Sequence, residues 1–121
     1  MKKILIAAIL LLPFQVSAEH MDVIQFKLHD DCSFNKYMAI VADFNEWGKA
    51  YGYEAKIAWP LQNDDLVHMY WLGTSANAAA FGKAWDAWRD AQGDADSVAA
   101  KLSARFAACT TNMTRTGYDI Y

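Results

Sequence analysis

This chain of 121 residues has only two cysteines, two prolines and three histidines. The cysteines do not form a Cys-x-x-Cys pair, so a redox motif of that kind is excluded. Its six glycines build no Gly-rich phosphate loop, and a nucleophile elbow is absent as well. Linkers, repeats and low-complexity tracts are also missing, which leaves room for one domain around one core. Basic charge is scarce. Of the eleven Lys and Arg, Lys2 and Lys3 stand at the extreme N-terminus, and the other nine face 14 Asp and Glu, a formal charge of −5. With no basic cluster, nucleic acid and anionic membrane are not expected partners.

What is present starts with a short basic head, Met1-Lys2-Lys3, then the apolar run Ile4 to Leu12, Pro13, and the small residues Ser17 and Ala18. This is the three-part layout of a secretory signal, and its apolar run is far below the ~20 residues of a membrane span. The reading is a signal peptide over 1–18, removed after Ala18, and a single α+β domain over 19–121. The mature protein is therefore expected in the periplasm or secreted, with no membrane contact.

The domain is organised around Leu66 to Gly73, a run with large groups on both faces that reads as the interior strand of a sheet. Before it, Asp22 to Leu28 alternates as a first strand with Ile24, Phe26 and Leu28 on one face. Ser33 is placed to cap a helix with Tyr37, Met38, Val41, Phe44 and Gly48 on its apolar stripe, and Gly52 to close it. Tyr53 to Leu61 alternates again, with Ala55, Ile57, Trp59 and Leu61 together, and Pro60 sends this strand to a sheet edge. Thr74, Ser75 and Asn77 offer caps for a helix over Ala78 to Ala91 striped by Phe81, Ala84, Trp85 and Trp88. Asp94 and Asp96 precede a third helix, Ser97 to Cys109, with Val98, Leu102, Phe106 and Cys109 on one face. Asn112 to Tyr121 closes the sheet as a last strand.

That order, βαββααβ, is a ferredoxin-like antiparallel sheet with its helices on one face and one extra helix before the last strand. Its strands run fourth, first, third, second across the sheet. The segments after the first strand and before the fourth then lie side by side, which predicts a Cys32–Cys109 disulfide in an exported protein. A bridge closing so long a loop is worth on the order of 4 kcal/mol.

In element order and in its two-faced sheet, the stretch from Asp22 to Tyr121 resembles the dimeric α+β barrel superfamily, which includes the antibiotic biosynthesis monooxygenase-like proteins. The resemblance implies that the sheet face left bare by the helices is covered by a second copy, giving a two-fold homodimer. That face holds either His68, Tyr70 and Leu72 or Val67, Met69 and Trp71. The resemblance also implies a small-molecule pocket between helices and sheet. Here its wall is assigned to Tyr37, Phe44, Trp59, Trp71, Phe81 and Trp85, joined by Trp88, as a site for an apolar or aromatic ligand. The haem branch uses a histidine ligand, but His20, His29 and His68 lie on no predicted helix, and no cofactor is assigned. Cofactor-free monooxygenases of this fold use Asn, Trp and Tyr; Asn45, Trp59, Tyr70 and Trp71 supply those types.

His68 and Tyr70 are the candidate catalytic groups, with His68 a general base if it faces the pocket. His29-Asp30-Asp31 reads as a solvated turn, and no metal site is assigned. Lys27, Lys56 and Arg115 are candidates for an anion site on one sheet face. Three functions follow: a small-ligand-binding dimer, a structural or interaction module whose tryptophans fill the core, and a cofactor-free monooxygenase- or isomerase-like enzyme.

Overall fold

The alternation of the first strand continues further back than Asp22, because His20 stands in phase with Asp22, Ile24 and Phe26. In the computed structural model, which describes residues 17–62 and 64–121, the strand β1 accordingly runs Glu19–Leu28. All but the last two residues of the expected leader lie outside the described residues. Ser33 begins α1 (Phe34–Gly48), its hydroxyl accepting from the Lys36 amide at 3.2 Å. A turn of 3₁₀-helix, Lys49–Tyr51, leads to Gly52, whose φ of 65° is the left-handed value that favours glycine. After β2 (Glu54–Ala58) and β3 (Met69–Ser75), the Asn77 side chain caps α2 (Ala78–Ala91) and the Ser97 hydroxyl caps α3 (Val98–Cys109). The chain closes with β4 (Thr110–Ile120).

The sheet order among the described residues is β2-β3-β1-β4, all neighbours antiparallel, as the element order requires. β1 is central, and its side chains divide cleanly. Asp22, Ile24 and Phe26 turn toward the helices, with Met69, Trp71, Gly73 and Ser75 of β3 beside them. The other face carries Met21 and Val23 of β1, Tyr70 and Leu72 of β3, and Tyr118 and Ile120 of β4. Tyr118 and Ile120 are exposed. Among the described residues no helix lies over these side chains.

The core lies between sheet and helices, with Phe26, Tyr37, Ile40, Val41, Phe44, Met69, Trp71 and Leu102 all buried. Cys32 and Cys109 are bonded, with their Cα atoms 5.2 Å apart. The neighbouring backbone is tied by the His29 amide, which donates to the Cys109 carbonyl at 2.8 Å. Val98, assigned to the buried stripe of α3, is 59 % exposed instead. As the first residue of the helix it sits at the free end, and Ala99 takes the inward place.

The interior strand starts later than expected. Leu66, Val67 and His68 are not in the ladder, because the Asp65 carboxylate accepts the amides of Val67 (3.0 Å) and His68 (3.2 Å). That local bonding replaces strand pairing with a turn.

Candidate functional site

One row across the sheet departs from an apolar pattern. Asp22 lies between Gly73 of β3 and Gly117 of β4, on the face toward the helices. The missing side chain of Gly73 makes room for the Tyr53 ring: a Cβ there would be 1.6 Å from the phenol oxygen and 2.2 Å from Cζ. Tyr53 uses that room to join a chain of directed hydrogen bonds. Trp71 Nε1 donates to the Tyr53 oxygen at 2.8 Å, and that hydroxyl donates to Asp22 Oδ2 at 3.3 Å. From the other side Arg115 grips the same carboxylate, Nε to Oδ1 at 2.9 Å and Nη2 to Oδ2 at 2.5 Å.

Asp22 is only 2 % exposed. A carboxylate so far from water needs both a countercharge and hydrogen bonds, and it has both. Burial alone would lower the Arg115 pKa, but the hydrogen bond and charge of Asp22 outweigh it and raise the value, so the guanidinium stays charged. The guanidinium carbon also lies 4.2 Å from the centre of the Trp85 ring and 5.9 Å from that of Phe81, a cation–π placement.

Above this row is a cavity of about 520 Å³, inside the roughly 300–1,000 Å³ of ordinary small-molecule sites. Tyr37 and Phe44 of α1, Trp71 of β3, and Phe81, Trp85 and Trp88 of α2 line it. The Phe44 ring meets Trp71 and Trp88 edge to face, with centres 4.9 and 5.3 Å away. α2 is the loosest wall: Ala84 is its only fully buried residue, and Trp85 is 39 % exposed. Arg115, His29 and Asn112 supply polar groups. The His29 ring is already engaged, Nδ1 lying 3.0 Å from the Ala108 carbonyl and Nε2 2.8 Å from the Thr111 hydroxyl. Since a carbonyl only accepts, Nδ1 is the donor.

Several expected site residues lie elsewhere. Trp59 follows the end of β2 and is 52 % exposed, its ring against Phe34 at 4.8 Å and outside the cavity. The strand stops before Pro60, so the alternation that put Trp59 with Ile57 no longer applies. His68 is in the turn before β3, its Nδ1 bonded to the Asp65 carboxylate, and does not line the cavity. That bond comes first among the causes that lower the Asp65 pKa. Tyr70 points to the bare face, where Gln25 Nε2 donates to its hydroxyl at 3.3 Å. Lys27 and Lys56 share that bare face while Arg115 faces the helices, so they form no common anion site. Asn45 is engaged by the backbone of β2, donating to the Ala55 carbonyl at 2.9 Å and accepting its amide at 2.8 Å. Among the described residues no cluster of His, Cys, Asp or Glu is arranged to hold a metal ion.

Asp22 and Tyr53 were not among the expected site residues. A signal was present, since Asp22 extends the Ile24, Phe26, Leu28 phase and is therefore a charge aimed at the core.

Burial raises the pKa of both Tyr37 and Tyr53; for Tyr53 the Trp71 hydrogen bond opposes that rise without cancelling it. Unfolded tyrosine ionises near ~10, so above that pH the unfolded chain releases protons that the folded one retains. The stability these neutral phenols maintain is complete below pH ~10 and declines as pH rises beyond it. In an absorbance titration at alkaline pH, two of the six tyrosines should ionise only together with loss of the circular dichroism signal. Smooth titration of all six in the folded protein would contradict this.

With sheet order, helix face and cavity placed, the fold is a ferredoxin-like α+β fold, a four-stranded antiparallel sheet with its helices on one face. Solved structures of this shape include a hydroxynitrile lyase from Passiflora edulis, 18 % identical with a TM-score of 0.56, covering 86 % of this chain and 94 % of that one. Another is SnoaB, a cofactor-independent oxygenase from Streptomyces nogalater, 12 % identical at a TM-score of 0.51, over 84 % of this chain and 92 % of that one. A dimeric protein of unknown function and ferredoxin-like fold from Bacteroides fragilis is 11 % identical at 0.47, over 84 % and 96 %. No protein-family model and no curated protein sequence matches the chain.

Proposed function

We propose that this is an exported homodimer that binds a small apolar or aromatic molecule in the cavity between its helices and its sheet. The observation that carries the reading is the cavity itself, about 520 Å³ walled by aromatic rings with a charged group at one side. Rings that simply filled a core would leave no such space, and this favours binding over a purely structural role. The disulfide supports export, since such bridges persist in oxidising compartments. Pairing is supported by the bare sheet face, where Met21, Val23, Tyr70, Leu72, Tyr118 and Ile120 form an apolar patch that a second copy would cover.

Native mass spectrometry of the protein purified from the periplasm without reduction tests each part. The expected result is a dimer of chains starting at Glu19, each lighter by two hydrogens, with a small molecule retained or taken up from added 2-acetonaphthone. A monomer at micromolar concentration would remove the pairing. A chain still carrying residues 1–18 would remove the export. Failure to hold any aromatic molecule would remove the binding function.

A further inference from the structure

Arg115 offers Asp22 the side of its guanidinium formed by Nε and Nη2. Its other terminal nitrogen, Nη1, has no hydrogen-bond partner among the described residues, although the side chain lines the cavity and is 39 % exposed. A guanidinium has five donors in a rigid plane, so satisfying one edge leaves the fork of Nη1 and Nη2 for an acceptor in the cavity. Its aim is set from behind by the bonds of Trp71, Tyr53 and Asp22, and its flat face is held against Trp85. The buried Asp22 carboxylate cancels its formal charge. An arriving carboxylate would therefore meet a neutral pair with a negative group directly behind the donor, whereas an uncharged oxygen acceptor meets the same donors without that repulsion.

From this geometry we infer that Arg115 is the specificity-determining residue of the cavity, selecting aromatic molecules that carry an uncharged oxygen acceptor at one end, with Asp22 as the positioning residue that disfavours carboxylates. The inference rests on the binding function proposed above. Asp22 contributes twice, holding the fork in place and setting which charge on the ligand is accepted.

Three probes of one shape separate these contributions: 2-ethylnaphthalene, 2-acetonaphthone and 2-naphthoate, titrated by tryptophan fluorescence into the oxidised, full-length mature protein. Ratios of affinity within one protein are compared, because a reduced folded fraction lowers all three affinities alike. In the Asp22→Asn/Arg115→Met variant, which removes both charges together, the preference for ketone over alkyl should fall about tenfold or more relative to wild type. In Asp22→Asn alone Arg115 keeps an uncancelled charge, and the preference for naphthoate over ketone should rise by roughly tenfold or more. Equal probe ratios in all three proteins would overturn the inference while leaving the binding cavity in place. Absence of binding of every probe to the wild-type protein would instead overturn the binding function, and the inference with it. If the double variant does not fold, the Asp22→Asn arm alone decides: a ratio unchanged from wild type overturns the role of Asp22.

Discussion

Gly73→Ala is expected to destabilise the protein by about 3–5 kcal/mol, although it adds one methyl group to a strand. The new Cβ would stand 1.6 Å from the Tyr53 oxygen and 2.9 Å from Trp71 Nε1, so the tyrosine ring must leave its place. Forcing a group into a packed interior costs ~1–3 kcal/mol. Displacing the ring then removes a hydrogen bond to the buried Asp22 carboxylate, ~1.5–3 kcal/mol for a bond to a charged group. Urea unfolding measures the loss directly. Its cause is tested by a double-mutant cycle: Tyr53→Ala alone is costly, and adding Gly73→Ala to it should cost little more, because most of the clash has gone. Additive losses would mean that the methyl group collides with something other than Tyr53.

Loss of the Cys32–Cys109 bridge is the second large effect. The cysteines are 77 residues apart in sequence and are 4 % and 1 % exposed. In the chain-entropy model, opening a loop of that size frees the unfolded chain by about 4 kcal/mol. With urea m-values of ~1–3 kcal/mol/M for small domains, the midpoint should fall by roughly 1.5–4 M. Cys32→Ala, Cys109→Ala and the double variant should lose nearly the same amount, since any one of them opens the loop. Strongly different losses in the two single variants would point to packing at one sulfur rather than to the cross-link.

Much of the architecture could be read from residue patterns because it depends on local periodicity and steric rules. Ser33 and Asn77 carry the oxygens that start helices, alternation defines β1, and Pro60 pointed to the edge strand although it lies two residues beyond the end of β2. The bridge followed from which strand ends must be neighbours. The site was less legible, because it depends on interactions between distant residues. Arg115 and Asp22 are 93 residues apart, and only the register of β1 against β4 brings them to one face. His68 looked like a strand residue because Leu66 and Val67 continue the apolar run. Asp65, which looks like any turn aspartate, takes the two amides that would have entered the ladder. Trp59 was lost from the cavity for a related reason: alternation says which side of a strand a residue occupies, but not where the strand stops.

The position of β1 also affects when this protein can fold. Its two neighbours are β3 and β4, and Glu19 pairs with Ile120, so the first strand cannot be completed on one side until the last strand exists. Pairings so distant along the chain close slowly. During synthesis β1 remains without its β4 partner until the C-terminal strand has left the ribosome. A chain in that condition is still threadable, so the topology itself supplies the delay before folding that the export proposed above would require.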